Sequence, residues 1–405
     1  METHASEVNE LTSSWLAHTR GAGVLSGAGL WPLLAVLAAS ADEPGRAELG
    51  TAARLAPDAG MDAAREVLKV LDDLDGVDAA LGLWAQEAAR VSPRWRDRLP
   101  SGTYGELVGD AEVDQPALDR WANERTRGLI ERFPVQTGPE LMLTLATALT
   151  LRTTWTRAFT DERLTPSAGA WSGRRLAGLS RNTGELDDVR VATTAAGPVT
   201  VTRVAGENDI DVHLVLGGAG AGPGDVLPAA LPVATGAHPS THGSEVLGSG
   251  SGDPVSADTG DTGWPGLAVV AAERPGLALR TTRFTVRSEH DLLQLPRTFG
   301  LETVSRPDRG HFPEIGPVPL RVDQAKQAAV AIFSATGFEA AAVTAMGLRA
   351  VSAPSKRARG LAATYDRPFG FLAVHRTSGL VLFAGWVDDP APWTPPEPRN
   401  ARQGR

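Results

Sequence analysis

The sequence contains no cysteine among its 405 residues, and it has only 2 tyrosines and 4 methionines. The absence of cysteine excludes disulfide bonds, a thiolate nucleophile and cysteine-ligated zinc. The patterns typical of a zinc hydrolase (HExxH), of a phosphate-binding loop (GxxxxGK followed by Ser or Thr) and of a serine hydrolase (GxSxG) are also missing. The sequence therefore predicts no metal, no cofactor and no catalytic residues of its own.

Positive charge is scarce as well. The chain has 39 Lys and Arg residues against 48 Asp and Glu residues, which gives a formal net charge of -9. Because phosphate contacts need clustered cations, this balance argues against nucleic acid as a partner. Hydrophobic residues at 42% and charged residues at 21% are typical of a folded globular protein.

No hydrophobic run is long enough to suggest a membrane span. The most apolar segment, residues 24–40, is shorter than the roughly 20 residues that cross a bilayer, and it contains Gly27 and Pro32. It is therefore predicted to be a buried helix. The first residues, METHASEVNE, lack the cationic stretch and apolar core of a secretory signal. We expect a cytoplasmic protein without membrane contacts, with non-classical export left open.

Residues 7–132 have a mainly helical pattern. Apolar residues recur at spacings of three and four in residues 61–74 and again in residues 79–89, so both segments are predicted helices. A third helix is predicted at residues 118–133, after Asp114 and Pro116, where it ends before another proline.

Strand patterns dominate from residue 141 onwards. Residues 141–151, LMLTLATALTL, are predicted to form a central strand buried on both faces. A short helix is predicted at residues 291–299, and the last hairpin is predicted to turn at residues 376–379. The remaining predicted strands lie at residues 189–204, 209–216, 267–284 and 318–333.

Two segments differ in composition from the rest. Residues 217–263 are rich in Gly, Ser and Pro and include GGAGAGPG and GSGSGD, which predicts a long flexible insertion. Residues 393–405 are predicted to form a disordered C-terminal tail.

A ribbon of small residues lies between two strand-like segments near the C-terminus. Residues 334–359 read SATGFEAAAVTAMGLRAVSAPSKRAR. Alternate side chains of a strand share one face, so Phe338, Ala340 and Ala342 would form an uncharged face and Glu339 would lie on the opposite one. Such a segment could lie extended and exposed, or enter a sheet as a strand.

Four blocks of the sequence resemble, in order and spacing, motifs of one family. Residues 118–130 resemble INxWVxxxTxGxI, and residues 143–159 resemble LVNAIYFKGxWxxPF. Residues 337–344, GFEAAAVT, are similar to the hinge motif GTEAAAAT, and residues 367–385 resemble RPFxFxI followed by LFxGxV. By these blocks the chain resembles the serpin family over about residues 20–392.

The resemblance implies an α+β fold in which helices pack around a large central mixed β-sheet, with smaller sheets and an exposed reactive-centre loop. Residues 1–392 would form a single domain, and residues 334–366 would contain the hinge and the loop. The implied function is not that of an enzyme. It is suicide inhibition of a serine peptidase, which cleaves the loop and is trapped as an acyl-enzyme when the loop inserts into the central sheet of a monomeric inhibitor.

The resemblance also assigns the residues that take part. The reactive bond would join Val351 to Ser352, about fourteen residues beyond the hinge glycine, and Arg349 is the alternative if the register differs by two. A small Val351 suits the shallow pocket of an elastase- or subtilisin-like peptidase, whereas Arg349 suits a trypsin-like one. The hinge would consist of Gly337, Phe338, Glu339, Ala340, Ala341, Ala342, Val343 and Thr344.

Several positions depart from the family pattern. Phe338 replaces a small hydroxyl residue at the first inserting position, where extra volume would cost roughly 1 to 3 kcal/mol if the site is overpacked. Ala335 and Thr336 replace the acidic pair before the hinge glycine. The region where the sheet opens is also altered, and its expected members here are Ser26, Gly29, Thr147, Trp155 and Gln327.

These departures leave a second hypothesis open. The protein could be a non-inhibitory serpin-fold binding protein whose loop is cleaved or bound without trapping a peptidase. The role of the basic stretch at residues 356–359 stays open too.

Overall fold

The computed structural model describes residues 4–100, 102–248, 260–338 and 358–395. Within these ranges the α-helices follow one another as α1 Ala5–Leu16, α2 Gly27–Ser40, α3 Gly45–Ala53, α4 Gly60–Asp72, α5 Pro93–Arg96, α6 Ala111–Arg125, α7 Pro223–Ala234 and α8 Gly243–Gly248. The first half of the described strands comprises β1 Gly23–Leu25, β2 Val77–Gln86, β3 Tyr104–Leu107, β4 Leu143–Leu151, β5 Thr153–Thr154, β6 Thr160–Leu164, β7 Leu176–Thr183, β8 Val189–Thr194, β9 Gly197–Ala205 and β10 Ile210–Leu216. The second half comprises β11 Thr241–His242, β12 Gly260–Asp261, β13 Leu267–Ala272, β14 Leu277–Thr282, β15 Phe284–Asp291, β16 Lys326–Phe333, β17 Gly337–Phe338, β18 Ala358–Thr364, β19 Phe369–His375 and β20 Val381–Val387.

The described strands form four hydrogen-bonded groups, two of which together make the central sheet. A seven-stranded sheet has the order β1-β20-β19-β10-β9-β8-β11, and a six-stranded sheet has the order β12-β13-β18-β14-β7-β6. The third is the central sheet, which consists of the groups β15-β16-β17-β5 and β3-β2-β4. These two groups belong together because β4 runs on into β5 with only Arg152 between them. The pairing of β2 with β3 is parallel and the other pairings in this sheet are antiparallel, so the sheet is mixed.

The buried helix predicted at residues 24–40 is confirmed from Gly27 onwards as α2, while Val24 and Leu25 belong to strand β1. Ser26 caps its N-terminus by accepting a hydrogen bond from the Gly29 amide at 3.0 Å, and nearly all of its residues are buried. Among the described residues, no helix has the length and apolar character needed to cross a membrane. The helix predicted at residues 61–74 is likewise confirmed as α4, and the C-terminal hairpin is confirmed as β19 and β20.

The helix predicted at residues 79–89 is wrong, because most of this segment is strand β2. It pairs with β4 from Val77 opposite Leu151 to Ala85 opposite Leu143, and with β3 on its other edge. The indole of Trp84 folds over Gly82 and stacks edge-on against Trp121 at 4.8 Å between ring centroids. Sheet pairing and aromatic packing therefore outweigh the local helical spacing.

The prediction of one flexible insertion at residues 217–263 is wrong for the residues that the structure describes there. Helix α7 has Pro223 in its first turn, a position proline tolerates, and it buries Val226, Leu227, Leu231 and Val233. Leu227 lies against Gly370 of β19, where a Cβ atom would come within 2.5 Å of it. The apolar residues between the glycines thus form a buried helix.

Three further predictions need correction at their limits or in detail. Helix α6 begins at Ala111 after the cap Asp110, and it ends at Arg125 because Arg127 and Gly128 adopt positive φ angles. Strand β4 exists as predicted, but its residues alternate between buried and half-buried, so it is not buried on both faces. In residues 291–299, only Leu292–Gln294 forms a helical turn.

Candidate functional site

The chain reverses direction between β16 and β17. The Ser334 amide donates to the Gly337 carbonyl at 2.9 Å, and the Ser334 hydroxyl bonds the same carbonyl at 3.0 Å. After this turn Phe338 pairs with Phe333 of β16 on one side and with Thr153 of β5 on the other. The predicted hinge residues Gly337 and Phe338 therefore already form a two-residue strand inside the central sheet. The hinge residues Glu339 to Thr344 lie outside the described residues.

Trp155 and Phe159 hold this turn through three consecutive carbonyl groups. The Trp155 indole Nε1 donates to the Ser334 carbonyl at 2.9 Å, and the Trp155 amide donates to the Thr336 carbonyl at 2.9 Å. The Phe159 amide donates to the Ala335 carbonyl between them at 2.8 Å. The turn is thus fixed by its backbone, which gives it an anchor in place of the acidic pair that Ala335 and Thr336 replace.

The side chain of Arg181 packs against the ring of Phe159. Its guanidinium lies 4.8 Å from the centroid of the Phe159 ring, and its Nη1 donates to the Arg157 carbonyl at 3.1 Å. Burial lowers the pKa of Arg181 to about 10, with Asp188 acting in the opposite direction. The side chain is still charged at neutral pH, so it contributes a cation–π contact to the end of the sheet that holds the hinge.

Phe338 is accommodated in the core. Only 2% of its surface is exposed, and its ring centroid lies 5.9 Å from that of Phe371. Space around Phe371 comes from Gly385, where a Cβ atom would lie 2.5 Å from the Phe371 ring. Phe338, at the first inserting position, therefore packs in the core against a ring that has Gly385 of β20 on another side.

The two halves of the central sheet separate below the hinge strand. Within the described ranges, no ladder joins β4 to β16, and β17 pairs with β16 and with β5, the short strand that follows β4. A small cavity under Phe338 is lined by residues that follow α6 and by facing parts of the two strands, among them Leu129, Ile130, Leu149 and Val330. Among the described residues, no strand pairs with the edges of β4 and β16 that face each other below Phe338.

Three residues of the predicted sheet-opening region meet at the start of α2. Ser26 Oγ donates to the Leu382 carbonyl at 2.6 Å while it caps Gly29. Gln327 accepts from the Ser26 amide through Oε1 and donates to the Ser26 carbonyl through Nε2, both at 2.9 Å. Thr147 lies instead on β4, opposite Leu81 of β2, and Trp155 lies at the hinge.

The sequence analysis did not identify two further residues of this region, Ser288 and His290. Ser288 Oγ accepts from the Val24 amide at 2.9 Å, and His290 Nε2 bonds the Val24 carbonyl at 2.8 Å. Their signal in the sequence is the period of two along β15, which places them on the same face as the buried Phe284 and Val286.

The reactive-bond residues Val351, Ser352 and Arg349 lie outside the described residues, as does the basic stretch up to residue 357. The chain is described again from β18, which lies between β13 and β14 in the six-stranded sheet. The segment from Glu339 to Arg357 therefore connects the central sheet to a different sheet.

Comparison with known proteins gives the same family as the motifs. A sequence model described as "Serpin (serine protease inhibitor)" matches residues 271–390. The crystal structure of mouse protein-Z dependent protease inhibitor superposes with a TM-score of 0.67 at 14% identity, covering 96% of this chain and 97% of that one. That likeness shows the fold, and it confirms the predicted α+β serpin architecture.

Two relatives among the curated proteins also match. A serpin-like protein of Pyrobaculum aerophilum is 22% identical over 327 residues, or 78% of this chain and 77% of that one. A rice protein (Oryza sativa subsp. japonica) with the provisional name serpin-Z6C is 45% identical over 74 residues, which is only 18% of the length of each chain. The sequence model and the solved structure thus agree: residues 271–390 match the serpin family, whose members are in general protease inhibitors, and the described residues have the serpin fold.

Proposed function

We propose that the protein is a suicide inhibitor of a serine peptidase with a small apolar primary pocket. The observation that carries this proposal is the position of Gly337 and Phe338 between β16 and β5, at the top of the separation between β4 and β16. A cleaved loop that continues from Phe338 would have two strand edges to pair with.

The register of the two ladders defines the strand that would insert. Since Phe338 lies opposite Phe333 and Thr153, continuing the same register would place Ala345 opposite Lys326 at the far end of β16. On the other side, residues 340–348 would pair with β4. The run of alanines in this stretch suits insertion because small side chains enter a closed space at little steric cost.

The mechanism begins as an ordinary acyl transfer. The peptidase serine attacks the Val351 carbonyl, the bond to the Ser352 nitrogen breaks, and the Ser352 amine takes up a proton as it leaves. The acyl ester then links Val351 to the peptidase. From Gly337 to Val351 is 351 − 337 = 14 steps, so insertion at about 3.3 Å per residue carries the ester roughly 46 Å. Displacing a bound peptidase this far would distort its active site and stop hydrolysis of the ester.

Val351 supports an elastase- or subtilisin-like target. A shallow apolar pocket accepts a β-branched side chain, while a deep anionic pocket gains nothing from it. A trypsin-like target would require cleavage after Arg349. One inhibitor chain per peptidase is expected.

The test is a panel of elastase-, subtilisin-, chymotrypsin- and trypsin-like peptidases incubated with the protein and run on denaturing gels. We expect an adduct of the summed mass with the first two classes, and mass spectrometry of the released C-terminal peptide should give Ser352 as its first residue. Val351→Arg should move the adduct to the trypsin-like enzyme, whereas Arg349→Ala should leave it unchanged. Free turnover by every enzyme that cleaves, without an adduct, would contradict the proposal.

A non-inhibitory role is the second candidate, and the burial of Phe338 is the observation that favours it. A phenyl ring packed against Phe371 could hold the hinge in place and slow insertion until the ester has been hydrolysed. The thermal midpoint of the loop-cleaved chain separates the two candidates, because an inserted strand should raise it by tens of degrees. A cleaved chain with an unchanged midpoint would support the non-inhibitory role.

A further inference from the structure

The hairpin turn between β19 and β20 brings together a serine, a histidine and an aspartate. His375 is the last residue of β19, and its Nδ1 lies 2.8 Å from the hydroxyl oxygen of Ser378 in the turn. Its other ring nitrogen, Nε2, lies 3.6 Å from Oδ2 of Asp209, the residue before β10. The three side chains form a row in the order carboxylate, imidazole, hydroxyl. Local spacing in the sequence does not show this row, because Asp209 joins it only through the pairing of β10 with β19.

The hydrogen atoms of this row can be placed from their neighbours. The Leu380 amide donates to Ser378 Oγ at 3.2 Å, which leaves the hydroxyl hydrogen to point at His375 Nδ1. Nδ1 is then the acceptor, so the single hydrogen of a neutral imidazole lies on Nε2, towards the Asp209 carboxylate. The distance of 3.6 Å is too long for a hydrogen bond, but such contacts are often long before substrate binds. In this arrangement His375 can take up the proton of the serine.

The charges of the row suit the same step. Burial lowers the pKa of His375 below its usual 6.5, and of the two charged groups that face the ring Asp209 raises the pKa and Arg376 lowers it. The imidazole is therefore neutral at pH 7. The hydrogen bond from Thr377 and the positive charge of Arg376 lower the pKa of Asp209, which stays ionised. A neutral base beside a hydroxyl, with a carboxylate behind it, is the protonation pattern that a nucleophilic serine requires.

The turn presents the hydroxyl to solvent on a fixed support. Ser378 is half-buried, and the two residues before it are exposed. The Gly379 amide donates to the His375 carbonyl at 2.9 Å, and the Asn9 side chain of α1 donates to the Gly379 carbonyl at 2.8 Å. These bonds hold the backbone on both sides of the hydroxyl.

The backbone around Ser378 limits the compounds it can attack. The amides of the three residues after it already donate elsewhere, to the His375 carbonyl, to Ser378 Oγ and to Asn9 Oδ1. They do not stabilise the oxyanion of a tetrahedral intermediate, and the lack of one such donor costs about 10²–10³ in rate. The site therefore favours acyl donors with a good leaving group, which are thioesters, acyl phosphates and aryl esters, over peptides and alkyl esters.

We propose that Ser378 is a site of covalent acylation, with His375 as the base and Asp209 as the residue that positions it. The Ser378 oxygen attacks the carbonyl carbon of the donor, and its proton passes to His375 Nδ1. The bond between that carbon and the leaving group breaks, and the leaving group departs with the electron pair and the proton. Ser378 becomes an O-acyl ester, and His375 is neutral again. None of the three residues belongs to the hinge or the reactive loop, so this site does not depend on the proposed inhibition.

The test treats the full uncleaved chain with p-nitrophenyl acetate and measures nitrophenolate release and peptide masses. We expect an acetyl group on Ser378 and none on Ser167, an exposed serine without a histidine contact among the described residues. The rate should rise with pH as His375 loses its proton and become constant above about pH 7. Acetyl phosphate and an acetyl thioester replace the aryl ester in two parallel arms. A faster reaction with the first assigns an anionic donor, and a faster reaction with the second assigns a neutral one.

Substitutions separate a reactive row from a merely structural turn. Ser378→Ala should abolish the acetylation. His375→Asn keeps a polar group in the place of Nδ1 that can bond Ser378, but it cannot take up a proton. Its thermal midpoint should stay close to the native value while the rate falls about 10²–10⁴-fold. Asp209→Asn removes a charge that raises the pKa of His375, so it should move the pH profile to lower pH as well as slow the reaction.

Three results would overturn the proposal. The first is an acetylation rate at Ser378 no higher than at Ser167, and the second is no reaction with any of the three donors. The third is a His375→Asn variant that is acetylated as fast as the native chain, because the histidine would then only stabilise the turn. Each of these results leaves the inhibitor proposal unchanged.

Discussion

The seven-stranded sheet and the central sheet differ in how completely their strands are paired. In the seven-stranded sheet, β10 pairs along nearly its whole length with β9 and β19, and all seven of its residues are buried. In the central sheet, β4 pairs along its whole length with β2, but its other edge has no ladder among the described residues. The seven-stranded sheet, called the frame below, thus has a strand paired on both edges, whereas β4 is paired on one edge only among the described residues.

The largest expected effect comes from making the same substitution, Phe to Ala, once in the frame and once at the hinge. Phe371→Ala removes a fully buried ring from β19, where it lies 5.1 Å from Phe284, and should lower the free energy of unfolding by about 3 to 5 kcal/mol. Phe338→Ala should cost less, because a two-residue strand can leave the sheet when its anchor is lost. Chemical denaturation of the uncleaved chain measures both.

Phe338→Leu is the control for this comparison, since it keeps an apolar side chain and should stay close to the native sequence. If Phe338→Ala cost as much as Phe371→Ala, the hinge would be as firmly part of the core as the frame is. The hinge and the frame would then not differ in the unfolding free energy that a buried ring contributes.

The frame was easier to predict from sequence than the central sheet. The apolar patterns of β10, β19 and β20 are local signals that gave the correct elements, and residues 189–204 were correctly predicted as strand but form two strands, β8 and β9. In the central sheet, β2 was predicted as a helix because its strand state depends on β3 and β4, which are distant in sequence. Long-range pairing is not visible in local spacing.

The candidate site likewise contains residues that the sequence located and residues that it missed. The motif resemblance located Gly337, Phe338, Trp155 and Gln327, and the structure places them at the hinge and at the start of α2. Ser288 and His290 were missed because each is a single polar residue in a strand, and only the folded structure shows that both bond the backbone of Val24. In residues 217–263 the composition gave a wrong prediction of a flexible insertion, because the many glycines outweighed the apolar residues that form α7.

The next effect is the pH dependence of the frame. Burial lowers the pKa of His213 on β10 to about 4, with Asp211 acting in the opposite direction and Arg190, Arg203 and Arg376 in the same one. The folded pKa is below the unfolded value of 6.5, so this contribution to stability is complete above pH 6.5 and is lost as the pH falls towards 4. A shift of this size corresponds to about 3 kcal/mol.

The measurement is the unfolding midpoint of the native sequence and of His213→Gln between pH 7 and pH 4. The variant has no titrating group at this position, so its midpoint should fall less over that range. If the midpoints of the two proteins fell in parallel, groups other than His213 would be responsible for the effect of acid. His213 would then not distinguish the frame from the central sheet.

Trp155→Phe tests the backbone anchor of the hinge. The substitution removes the donor to the buried Ser334 carbonyl, which should cost about 1 to 3 kcal/mol. Trp386→Phe is the matched control, because Trp386 lies in the frame and is 5% exposed compared with 3% for Trp155. We expect Trp155→Phe to change the rate of adduct formation as well as stability, and Trp386→Phe to change stability alone. Equal effects on the rate would argue against an anchor at Trp155.

The smallest expected effect concerns a charge pair in the register that Phe338 begins. Gly337 lies opposite Thr154 and Phe338 opposite Thr153, so a strand that continues in this register places Glu339 opposite Arg152. Opposite charges in such cross-strand pairs contribute about 0.2 to 1 kcal/mol. Arg152→Glu and Glu339→Arg should each lower the thermal midpoint of the loop-cleaved chain, and the double swap should recover most of the loss because it restores the pair in reverse. The uncleaved chain is measured in the same way for comparison. If the two losses simply add in the double variant, the residues do not meet, and the inserted strand has a register different from the one that Phe338 begins.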